Sequence, residues 1–124
     1  MHRKIDGKDF IQRFYEIFLS SSPEVAKKFE QTDMEVQKGL LRQSVSFMLS
    51  FSTTLQSSAH MKSIARRHSK SQVDIPPELY DLWLNCFLIT VKEFDAEFDL
   101  EIELAWTVIL SPGIAYMKYH YDKI

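Results

Sequence analysis

Cysteine is almost missing from this chain. Cys86 stands alone, so an intramolecular disulfide and a cysteine-built zinc site are both excluded, and a reducing, cytoplasmic setting is expected. Glycine is scarce at 3 and proline at 4, so turns are few and secondary-structure elements should be long. Neither charge sign dominates: 15 Lys and Arg against 17 Asp and Glu leave a net charge of -2, with no electrostatic footprint for nucleic acid. No run of apolar residues reaches membrane-spanning length by inspection, and 1–8 lacks the apolar stretch of a signal peptide, so no membrane partner is expected. What remains is ordinary for a globular protein, 45% hydrophobic and 26% charged over 124 residues. That is enough for one domain with a core of its own, preceded by a polar N-terminal arm over 1–9.

Apolar periodicity divides the chain into six helices. Phe10, Ile11, Phe14, Tyr15, Phe18 and Leu19 fall on one face at the helical period, with Asp9 able to cap them. Ser20, Ser21, Ser22 and Pro23 end that helix and begin a short one over 23–29. A long helix follows over 34–54, capped by Thr32 or Asp33, with Leu40, Leu41, Val45, Met48 and Leu49 and also Met34 and Gln37 toward the interior. Ser and Thr residues break it, and a short helix over 61–69 ends near His68. Pro76 and Pro77 exclude helix from the connector after it. Leu79, Leu82, Trp83, Cys86, Phe87, Thr90, Val91 and Phe94 mark a fifth helix. Ile102, Ala105, Trp106, Ile109 and Leu110 mark a sixth, with a kink expected at Pro112 and Gly113. Unequal helices without heptads or βαβ crossovers predict an orthogonal or globin-like bundle rather than a coiled coil, and such a bundle can enclose a pocket.

Four places on these helices could converge on a flat apolar cofactor: Tyr15, Phe29, the set Gln37, Lys38, Leu40 and Leu41, and His68. Taken singly, each has an ordinary reading as core or surface. A histidine near a helix end commonly meets the last carbonyls. Together they are harder to explain that way, because Tyr15 and Gln37 put polar groups among apolar stripes, where an unpaired hydroxyl or amide costs free energy. His68 is the candidate metal ligand. A neutral imidazole needs its second nitrogen held, and Tyr80 and the backbone around Arg67 to Ser69 are available. Arg66, Arg67, His68 and Lys70 form a basic cluster that could meet the carboxylates of a cofactor, or simply solvate a helix end.

The run from Phe14-Tyr15 through Pro23-Glu24-Val25 to Phe29 resembles bacterial single-domain globins and the globin domain of flavohaemoglobins. So do Ala65-Arg66-Arg67-His68, Pro77-Glu78-Leu79-Tyr80 and Ala105-Trp106, in order, over 10–119. The resemblance implies an all-α, three-over-three helical sandwich of six to seven helices, its first helix shortened or missing. It also implies haem b as cofactor, His68 as proximal iron ligand, Tyr15 as the distal hydrogen-bond donor and Phe29 against the porphyrin face. Oxygen or another diatomic gas would be the ligand, reversibly bound. The distal polar position falls at Gln37 or Lys38. The position of a glutamate that joins the tyrosine matched by Tyr80 in orienting the proximal imidazole falls near Tyr121, which lacks a carboxylate. This departure lowers the alternative of a nitric oxide dioxygenase or peroxidase fed by a separate reductase. A gas-sensing interaction module is the third reading, and the oligomeric state is left open.

Overall fold

The computed structural model describes residues 8–56 and 59–123. Among them six helices form: α1 (Phe10–Ser21), α2 (Pro23–Lys28), α3 (Met34–Thr54), α4 (Ala59–His68), α5 (Pro77–Phe94) and α6 (Leu100–His120). Four of the helix starts are capped by a side chain. Asp9 accepts from the Gln12 amide at 2.8 Å, Asp33 from Glu35 and Val36 at 3.0 and 3.4 Å, and Asp99 from Ile102 at 2.9 Å. Each carboxylate satisfies a donor that the first helical turn leaves free. The Ser22 hydroxyl caps α2 while Pro23 occupies its first turn, where a missing N–H costs nothing. Of the expected N-terminal arm, 1–7 lie outside the described residues. Lys8 and Asp9 are tied down instead, Lys8 to Glu16 and Asp9 to Arg42.

Helix α5 packs between α1 and α6, α3 packs on α6 and also touches α1, α4 packs on α6, and α2 is the short link from α1 to α3, contacts that fit the expected helical sandwich. An aromatic centre locks α1 to α5. Phe14 is fully buried and packs edge-on against Trp83, Trp83 stacks on Phe87 at 5.3 Å, and Phe10 meets Phe87 and Phe94 edge-on. At the rim Arg13 grips Glu93 with two parallel bonds of 2.8 and 3.0 Å.

Helix α3 crosses α6 at Gly113, where an added Cβ would come within 2.5 Å of Met48 Cγ. Glycine is there because the two helices approach that closely. The helix is not interrupted at Pro112, which removes only one bond, to the carbonyl of the solvent-facing Val108. Two sequence expectations are corrected. Leu49 is 50% exposed, because it lies about 100° around α3 from Met48 and so off the contact face. Helix α6 is, by length and composition, apolar enough to cross a membrane. Apolar residues occupy both its sides: Leu110, Gly113, Ile114 and Met117 are buried in the fold, while Leu100, Leu104 and Val108 face outward.

Candidate functional site

The apolar interior falls into two clusters rather than one. The larger holds the buried faces of α1, α3, α5 and α6, including Tyr15 and Leu41, with Phe29 packed against it. The smaller joins Met61 and Ala65 of α4 to Met117 of α6, with Phe47, Phe51, Ile64 and Tyr116 around it. Tyr80, near the start of α5, packs against both. Of the residues singled out from the sequence, Tyr15, Phe29 and Leu41 belong to the first, and His68 ends the helix, α4, that contributes to the second.

On the α1 side Tyr15 is 4% exposed, its ring 5.8 Å from that of Phe29 in an edge contact. Gln37 reaches across from α3 and donates its side-chain N–H to the Tyr15 hydroxyl oxygen at 3.1 Å. That bond occupies an acceptor site on the phenol and leaves its O–H as a donor. Burial pushes the Tyr15 pKa up to about 12, the Gln37 bond pulling the other way, so the hydroxyl stays protonated across the physiological range. Of the two candidates for the polar position, Gln37 is the one that meets Tyr15, while Lys38 pairs with Glu35 at 3.1 Å. Leu41 is buried, and Leu40 is half-buried outside both clusters.

On the α4 side His68 closes the helix. Its Nδ1 lies 2.8 Å from the carbonyl oxygen of Ile64, one turn back along α4. A carbonyl can only accept, so Nδ1 carries the hydrogen and Nε2 carries the lone pair. Burial lowers the His68 pKa below its ordinary value, the carbonyl bond opposing and Arg67 adding to the effect, which favours the neutral ring. The sequence offered Tyr80 or the Arg67–Ser69 backbone as the partner of this ring. The partner is instead Ile64, because at a spacing of four residues a helical side chain folds back over its own preceding turn. The spacing of Ile64 and His68 was the available signal. Tyr80 makes no hydrogen bond to His68, and burial alone raises its pKa well above the usual phenol range.

Among the described residues no group of three or more His, Cys, Asp or Glu could hold a bare metal ion. A metal at His68 must therefore bring most of its ligands with it, as a macrocycle does. The neutral imidazole of His68, with Nε2 available, and the Tyr15 phenol, with its proton to give, are groups that could meet a flat, metal-bearing ring. An open cavity of about 440 Å³, bounded by Arg42, Gln43, Ser46, Phe47 and His60, lies away from these groups and includes none of them.

No family model and no curated protein matches the chain. Among solved structures it is similar to a Pseudomonas aeruginosa protein whose crystal structure is described as structurally highly homologous to a human hemoglobin. The two are 38% identical, with a TM-score of 0.86, over 92% of this chain and 86% of that one. With the all-helical sandwich already in place, a likeness of that extent and identity makes this chain a member of the globin family.

Proposed function

We propose that this globin binds haem b through His68 and reversibly takes up oxygen or another diatomic gas beneath Tyr15, in the manner of the bacterial single-domain globins it resembles. The observation that carries the reading is the pairing of a half-buried imidazole committed through Nδ1 to Ile64 with a buried phenol whose proton is left free by Gln37. Haem, when bound, supplies an iron centre able to take a diatomic gas. His68 offers that centre a neutral nitrogen lone pair, held in orientation by its own helix. Phe29, Leu40, Leu41 and Tyr80 offer apolar and aromatic surface to the ring. Tyr15 donates a hydrogen bond to a gas that carries partial negative charge, in surroundings that exclude competing water. Gln37 keeps the Tyr15 hydroxyl aimed by holding its oxygen. Arg66, Arg67 and Lys70 are exposed around the end of α4, a source of positive charge for the carboxylates of the ring.

The same geometry favours gas binding over oxidative turnover. The partner of His68 Nδ1 is a neutral peptide carbonyl and not a carboxylate, so the imidazole gains little anionic character with which to push electron density toward a metal. Any reduction would be supplied by a separate reductase, in a cytoplasmic setting that suits the buried free thiol of Cys86. The test is an absorbance titration of haem into the purified chain under nitrogen, oxygen and carbon monoxide. The expected result is a Soret band that saturates at one haem per chain and shifts reversibly when oxygen is admitted and removed. A chain that develops no such band overturns the reading.

A further inference from the structure

The turn that follows His68 is anchored from outside itself, and one anchor is the tyrosine just beyond α6. Within the turn, Ser69 is fully buried and its carbonyl accepts from both Gln72 and Asp74, at 3.0 and 2.9 Å. The carbonyl of His68 itself accepts from the Ile75 amide at 3.1 Å, and Ile75 packs against the larger apolar cluster. Asp74 has a φ of 60°, a left-handed conformation that only glycine adopts without cost, although aspartate tolerates it better than most. Such a residue persists where its surroundings hold it.

Two elements do the holding. From α2, the Lys28 ammonium donates to the carbonyls of Asp74 and Val73 at 2.6 and 3.3 Å. From beyond α6, Tyr121 makes a double contact: its carbonyl accepts from the Lys70 amide at 2.8 Å, and its hydroxyl donates to the Asp74 carboxylate. We infer that Tyr121 is a positioning residue for His68. Its hydroxyl fixes Asp74 and thereby the turn, and the turn fixes the last residue of α4 on which the imidazole is carried. This rests on the reading of His68 as the haem ligand, but the clamp itself can be read without haem.

The test substitutes Tyr121→Phe, which removes only the hydroxyl, alongside Asp74→Asn, which keeps an acceptor oxygen and tolerates the left-handed backbone. In the haem-free chain, Tyr121→Phe is expected to speed amide hydrogen exchange at Asp74 and Ile75 about tenfold, the effect of one hydrogen bond on a local opening. It should also move the NMR resonances of the His68 ring protons, with far-UV circular dichroism unchanged and Asp74→Asn close to wild type. In the haem-loaded, ferrous, gas-free chain the iron–histidine stretching band should shift in the resonance Raman spectrum. Ring resonances that stay in place, or a stretching band that stays in place in a chain that has taken up haem, overturn the inference. Failure of the haem reading is separate, since it appears as a wild-type chain without a Soret band while exchange and ring resonances still decide the clamp.

Discussion

Replacing Tyr15 by Phe should change the pH dependence of stability in a way that burial of the phenol alone dictates. Folded Tyr15 releases its proton near pH 12, against about 10 in the unfolded chain. A group whose folded pKa is raised contributes its stabilisation in full below the unfolded value and loses it as pH rises toward the folded one. Working the two titrations together, wild type loses about 1.4 kcal/mol through this residue between neutral pH and pH 11, and the Phe variant loses none of it. With Tyr15 only 4% exposed, solvent screening takes little from that figure. Near pH 8 the variant lacks the bond from Gln37, worth about 1 kcal/mol, and Gln37 is half-buried, so water can satisfy part of its amide. Wild type should therefore be the more stable by about 1 kcal/mol at pH 8, and the advantage should be gone by about pH 11. Urea unfolding of the haem-free proteins across this range measures it, and the other tyrosines cancel in the difference. A stability gap that stays constant with pH would refute the burial argument for the phenol.

The same substitution in the haem-loaded chain should speed oxygen release by roughly 10- to 100-fold, the worth of a hydrogen bond to a partly charged acceptor, in stopped-flow displacement by carbon monoxide. Gly113→Ala should lower stability by about 1–2 kcal/mol, since the new Cβ meets Met48 at 2.5 Å and overpacking outweighs the helix propensity gained; chemical denaturation reads it. Asp99→Ala removes the cap on α6 and should cost about 1 kcal/mol, with amide exchange accelerated first at Ile102, whose N–H loses its acceptor.

Helix placement was accessible from sequence because its causes are local. Asp9 and Asp33 precede apolar stripes and cap as expected, Pro23 and Pro77 stand in first turns, and Asp99 caps α6 in the same way although only its place in an acidic break marked it. Tyr15 and Gln37 were conspicuous as polar residues on apolar faces, and they turn out to satisfy one another across α1 and α3. What the sequence concealed depends on direction or on distant partners. Leu49 differs from Met48 only by one step of helical rotation, which places it outside the contact face. Ile64 offers His68 a backbone atom, and backbone atoms leave no mark in residue type. Gly113 reads locally as a helix breaker beside Pro112, whereas its role is set by Met48 on another helix. Lys28, Asp74 and Tyr121 are unremarkable one by one and acquire meaning only when α2, the turn after α4 and the segment beyond α6 are brought together.

The central claim is that His68 supplies the axial nitrogen to haem iron, and a cavity variant addresses it most directly. Haem added to His68→Gly should give a weakened, shifted Soret band, and millimolar imidazole should restore the wild-type spectrum by supplying the missing ligand in trans. A His68→Gly protein whose spectrum and haem affinity match wild type without imidazole would contradict the account.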